Sequence, residues 1–217
     1  MTGFTLVNVL GGLLIVTSMM VVLAKKSKTA AYCYAAQSLV LVLSFVTLGA
    51  TTGSAELFTW AGTAFVTKVL VVPGIILYLS NKVGDAGAAL GPRVNKSVLP
   101  IIIAVEVAAC FAAVQGVSLP TALEVKPALA ISLAHFFIGL TCIVTQRNIV
   151  KQIFGYCLME NGSHLTLALL APNAPELVEV GVATDAFLAV IIMAVMAYRI
   201  YKVAGTLDAE DLMELKG

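Results

Sequence analysis

Seven stretches of about 20 apolar residues recur along the chain, each long enough to cross the roughly 30 Å hydrocarbon core of a bilayer as a helix. They fall near residues 4–24, 30–50, 57–80, 98–117, 128–145, 149–170 and 178–201. In hydrocarbon every backbone N–H and C=O must find its partner within the protein, and an isolated run of this length does so as an α-helix. The expected fold is therefore all-α, a polytopic transmembrane bundle of about seven spans. Composition rules out the competing picture of a soluble domain with a large core. Of 217 residues, 60% are hydrophobic and only 12% charged, with a mean hydropathy of +1.00, whereas soluble proteins carry roughly 25% charged residues. The longest connection, 81–97, is short and rich in Gly and polar residues, so 1–217 reads as a single membrane domain.

The basic residues set an orientation. Lys25, Lys26 and Lys28 follow the first span; Lys82, Arg93 and Lys96 follow the third. Arg147 and Lys151 follow the fifth, and Arg199, Lys202 and Lys216 lie at and beyond the end of the seventh. Seven crossings put all of these on one side. The opposite loops hold Lys126 alone among basic residues, with Glu56, Glu124, Glu176 and Glu179. By the positive-inside rule the N-terminus is outside and the C-terminus cytoplasmic, as in a multi-pass protein of a bacterial inner membrane. The first span has its lysines after the apolar run rather than before it, so it is expected to remain as an anchor. The polar tail, 203–217, has the composition of a short surface helix.

Several chemistries are not expected. A net charge of +1 without a basic tail offers nothing to nucleic acid, and no soluble small-molecule substrate is implied. Cys33, Cys110, Cys142 and Cys157 lie singly in apolar runs, without the clustered thiolates that an iron–sulfur centre requires. No cofactor or metal is expected in this chain.

The informative residues are the ionisable ones inside the spans. Lys68 falls in the third, Glu106 in the fourth, His135 in the fifth, Glu160 and His164 in the sixth and Asp185 in the seventh. A charge near the bilayer centre costs at least ~2.5–3.5 kcal/mol, so such groups are expected to face protein or a water-filled cavity. One such residue alone, such as Glu106, reads equally well as hydrogen-bonding glue between helices, and His135 alone reads better as a neutral imidazole satisfied in a helix interface. Six at similar depth on five helices point to a polar axis along which protons can be exchanged. In the sixth span Cys157, Glu160 and His164 fall on one stripe, with Asn161, Gly162 and Ser163 beside it. Pro73, five residues after Lys68, removes a backbone donor and is expected to kink the third span.

The stretch TQRNIVKQIFGYCLMENGSHLTLALL, residues 145–170, resembles the second helix of NuoK-type subunits of respiratory complex I. It is still more similar to the hydrogenase-4 component E family, membrane subunits of formate hydrogenlyase and related hydrogenases. In that resemblance Arg147 and Asn148 open the helix, Gly155 sits mid-helix, and Met159-Glu160-Asn161 carries the functional carboxylate. VGVATDAFLAVIIMAVMAYRIYK, residues 180–202, resembles the third NuoK-type helix. The likeness to component E extends over the whole chain through QSLVLV (37–42), AFVTKVLVVP (64–73), KPALA (126–130) and TLDAEDLMELKG (206–217). The likeness to NuoK covers only 125–202, leaving 1–80 as three further helices and 98–117 as a linking one. Two departures change the geometry: the NuoK second-helix glutamate aligns with Cys157, moving the carboxylate one turn on to Glu160, and the third-helix glutamate becomes the shorter Asp185.

The resemblance implies a non-redox subunit that contributes to a proton or sodium relay. Nickel–iron and iron–sulfur centres are then expected in partner subunits, and antiporter-like subunits among its membrane neighbours. Glu160 and Asp185 lie at roughly equal depths on either side of the loop 171–177, so they are expected as the core pair, facing each other or sharing water, with His164, His135, Glu106 and Lys68 as links. Three alternatives stand beside this: a subunit of a multisubunit cation/proton antiporter, a free-standing transporter, and a purely structural scaffold.

Overall fold

The computed structural model describes residues 3–84, 90–95, 97–116 and 126–213. Lys96, Glu124, Glu214 and Lys216 lie outside these residues, as do the side chains of Glu176 and Glu179. All seven expected spans are helices: α1 Gly3–Leu23, α2 Ser27–Thr52, α3 Glu56–Val83, α4 Leu99–Gln115, α5 Lys126–Thr145, α6 Ile149–Leu170 and α7 Glu176–Ala204. Several outrun their apolar runs by a few residues, because the helical hydrogen bonds continue into the interfacial region where polar side chains are tolerated.

Five of the seven, α1, α2, α3, α5 and α7, are long and apolar enough to cross a membrane. The fourth, α4, has only 17 residues. The sixth, α6, carries Lys151, Gln152, Glu160, Asn161 and His164, and it is sheltered by the other helices. Lys151, Phe154, Asn161 and His164 are all buried, so the least apolar span is an interior one. Its most extensive partner is α5. There the backbones touch: a Cβ on Gly155 would lie 2.8 Å from the Gly139 carbonyl oxygen, and one on Gly162 would lie 2.9 Å from that of Ser132. Only glycine permits this approach, which is how small residues bring helices together in a membrane.

The buried apolar side chains form two clusters rather than one. Val22, Tyr34, Ile76, Ile103, Ile138 and Phe154 belong to the cluster toward the tail side. Leu14, Leu41, Phe45, Leu57, Trp60 and Leu165 belong to the other. Ser18, Gln37, Lys68, His135, Asn161 and His164, all buried, fall between these two sets along every helix that contributes. A polar layer is thus held between two apolar ones.

The third helix departs from the expected simple kink. Phe65–Val71 is wound as a π-helix, and the Val72 N–H reaches the Thr67 carbonyl, five residues back. Lys68 is inside this wider turn and Pro73 follows it. Proline supplies no N–H to the turn before it, and π-helical segments of this kind recur at functional positions.

As far as Met213, the last described residue, the tail is not a surface helix. After α7 ends at Gly205, with φ of 72°, the chain turns back over the α5–α6 connection. Ile149 N–H donates to the Leu207 carbonyl at 3.1 Å and Ala209 N–H to that of Arg147 at 2.9 Å. Arg147 pairs with Asp208, and its Nε is 3.0 Å from Glu210, which also faces Arg93 at 3.4 Å. The Arg147 guanidinium holds the Asp208 carboxyl below its ordinary range. These charge pairs draw the acidic segment inward, and among the described tail residues helical winding is confined to one 3₁₀ turn, Asp211–Met213.

Candidate functional site

The wide turn of α3 aims Lys68 at α6. Its Nζ donates to Glu160 Oε1 at 2.7 Å and lies 3.0 Å from His164 Nδ1. The lysine side chain is 2% exposed and the glutamate 13%. An ammonium has donors only, so with Lys68 charged His164 accepts through Nδ1 and is neutral, with its proton on Nε2. Glu160 and His164, four residues apart, project from the same face of α6, and Lys68 sits between them as their common neighbour. The rings of Phe45 and Trp60 stand 4.8 and 5.3 Å from the His164 ring and close the trio from the far apolar cluster.

A second chain of polar groups begins at the next residue of α6. Asn161 Nδ2 donates to Gln37 Oε1 at 2.9 Å, and Gln37 Nε2 meets His135 Nε2 at 3.2 Å. His135 Nδ1 meets Ser18 Oγ at 2.9 Å, and Ser18 donates to the Leu14 carbonyl at 2.6 Å. Only one arrangement of protons satisfies every link. The Gln37 amide donates to Nε2, the ring donates from Nδ1, and Ser18 passes its own proton to the backbone. His135 is neutral and fully bonded in this arrangement, tying α5 to α1 and α2.

The other two candidates stand elsewhere. Glu106 on α4 accepts from the Thr141 hydroxyl on α5, and its second oxygen is buried without a partner among the described residues. It does not join the trio. Asp185 is exposed on α7 and makes no hydrogen bond or ion pair among the described residues. The expected facing pair of Glu160 and Asp185 is therefore not formed within this chain; Lys68 takes the place opposite Glu160 that the equal-depth argument gave to the aspartate.

Sequence reasoning named Lys68 only as a link and passed over Gln37, Ser18 and Tyr34, whose hydroxyl lies 3.5 Å from Asn161 Nδ2. Gln37 and Ser18 sit at the same depth as the ionisable residues, and depth was the signal available to find them, whereas Tyr34 belongs to the tail-side cluster and reaches the layer only through its hydroxyl. Among the described residues no group of three His, Cys, Asp or Glu side chains is arranged to hold a metal ion.

The chain is 49% identical over 220 residues to hydrogenase-4 component E of Escherichia coli, covering 100% of both chains, and equally to that of Shigella flexneri. An uncharacterized protein of Mycobacterium tuberculosis is 29% identical over 157 residues, 69% of this chain and 68% of that one. The family described as NADH-ubiquinone/plastoquinone oxidoreductase chain 4L matches residues 127–217, which contain α5, α6, α7 and the clasped tail. No solved structure matches the chain.

Proposed function

This chain belongs to the hydrogenase-4 component E family, and we propose that as a membrane subunit of such a complex it passes protons through Lys68, Glu160 and His164. The observation that carries this reading is the trio itself: a buried ammonium and imidazole in hydrogen-bond contact with a half-buried carboxylate, at the level between two apolar clusters. The second α5–α7 likeness, to a chain of NADH-quinone oxidoreductases, supports the same class of complex.

The chemistry follows from the charges. With Lys68 protonated and Glu160 ionised, the pair is neutral overall and the His164 ring is neutral. A proton moved from Lys68 Nζ to Glu160 Oε1 leaves two uncharged groups, and one moved to His164 Nδ1 leaves an imidazolium that can release its Nε2 proton. Low dielectric makes each of these states sensitive to any charge that approaches. Electron transfer in a partner subunit supplies such a change without any redox group here. In this reading nickel–iron and iron–sulfur centres reside in those partners, and antiporter-like subunits continue the path.

Asp185 supports the assembly. It lies five residues past Val180, where the apolar span opens, about 8 Å along the axis and inside a ~30 Å hydrocarbon layer. An exposed carboxylate at that depth calls for a neighbouring subunit that covers it. In this reading the basic loops and the clasped tail face the cytoplasm, in a bacterial inner membrane.

The test is coupling in the assembled complex. Glu160→Gln keeps the acceptor for Lys68 and removes the exchangeable proton. Vesicles carrying it should turn over hydrogen while proton movement per turnover falls about 100-fold, the scale of a lost acid–base group. Proton movement at the parent ratio would reject the relay and leave the trio as glue.

A further inference from the structure

A groove of about 760 Å³ runs between α3 and α7 on the outside of the bundle. Val71, Ile75, Phe187, Ile191 and Val195 make its walls, and Lys82 and Arg199 stand at one end, with Tyr78 and Tyr198 beside them. Both helices run in the same direction, so the two cations share the tail-side rim. The Lys82 ammonium sits 5.5 Å from the Tyr78 ring centre and Lys202 lies 5.2 Å from that of Tyr198. Lys82, Arg199 and Lys202 have no carboxylate partner among the described residues. Two cations and two tyrosines thus crown an apolar channel, with Lys202 beside it over Tyr198.

We propose that this groove is a binding site for one anionic phospholipid, its acyl chain along the walls and its phosphate between Lys82 and Arg199.

Length decides between a lipid and a helix. From Phe187 to Arg199 the groove extends about 18 Å at 1.5 Å per residue, close to one leaflet of a ~30 Å hydrocarbon core. A helix from another subunit would lie against the full thickness, and the groove stops at mid-depth. Charge decides between lipids. Cations at a helix–helix crevice at the membrane surface select acidic headgroups, and tyrosine belongs at the same level, where its ring is apolar and its hydroxyl wet. The site is compatible with a subunit over Asp185. That residue is two positions from Phe187 and so roughly 160° away around α7.

The assembled complex can be placed in phosphatidylcholine vesicles containing a trace of phosphatidylglycerol with a photoreactive acyl chain. Labelling is expected on α7 between Phe187 and Val195, and unlabelled phosphatidylglycerol should compete while added phosphatidylcholine should not. Replacing both cations, Lys82→Gln with Arg199→Gln, should weaken the competition about 30-fold, at about fivefold per cation. Val195→Trp fills the groove with the cations intact and should also abolish labelling there. Equal competition by phosphatidylcholine, labelling indifferent to either variant, or crosslinking of Val195 to a partner subunit instead of lipid would each overturn the proposal.

Discussion

Glu160 and Asn161 are neighbours on one helix, at one depth in the membrane, yet they head two unlike polar chains. From Glu160 the contacts lead to Lys68 and His164, and they contain a full ion pair. From Asn161 they lead through Gln37 and His135 to Ser18, and every member is neutral. In the neutral chain each donor faces an acceptor, so moving a proton would break a satisfied link. In the ionic trio the same lysine faces two groups that can each take its proton. Depth alone therefore does not mark a relay. What marks it is a group with more than one place to send its proton.

The sharpest way to break this contrast is to remove the shared cation. Lys68→Met leaves Glu160 and His164 facing an apolar side chain in the layer. Stripping one partner from a buried pair costs about 3–5 kcal/mol, whereas replacing both partners by apolar groups is often neutral. The single variant should reduce the yield of assembled complex severely, and Lys68→Met with Glu160→Met should restore much of it without restoring coupling. Quantifying intact complex by native electrophoresis checks both. Equal assembly of the parent and the single variant would mean that the pair is not closed to water.

A smaller effect is expected in the neutral chain. His135→Asn shortens the link and leaves Gln37 or Ser18 without its partner, at about 1–3 kcal/mol. The melting temperature of the complex should fall, while protons moved per hydrogen in the surviving assembled fraction stay at the parent value. A selective loss of proton movement would move His135 from tie to relay.

Much of this was legible in the residues, because a membrane leaves few choices. Seven apolar runs specify seven helices, and Lys68, Glu160 and His164 were marked by their cost at that depth. The partner of Glu160 was not legible. Equal counting from the α6–α7 loop favoured Asp185, but counting gives depth and not azimuth. The rotation of α7 and the π-turn of α3 together decide which residue faces Glu160. The clasp was hidden for another reason. Arg147 and Asp208 are 61 residues apart, and the tail's composition alone suits a surface helix as well as a return over a loop.

The tail clasp offers the mildest contrast, an ion pair at the rim instead of in the layer. Asp208 titrates lower in the folded protein than its ordinary ~3.9. Its contribution is therefore present above that value and is lost as pH falls through the depressed folded pKa. At neutral pH Arg147→Ala should raise protease release of the tail by about fivefold, the scale of an ion pair whose arginine is one-third open to water although its aspartate is buried. Release should be seen in inside-out vesicles. Release only from right-side-out vesicles would reverse the orientation.

The most direct measurement is infrared difference spectroscopy of the assembled complex, with hydrogen-reduced and oxidised states compared. If Glu160 exchanges a proton with Lys68 as the hydrogenase turns over, the spectrum contains a protonated-carboxyl band. That band is sensitive to deuterium and absent in Glu160→Gln. A spectrum without any carboxyl change, or with one unaltered in Glu160→Gln, would contradict the relay.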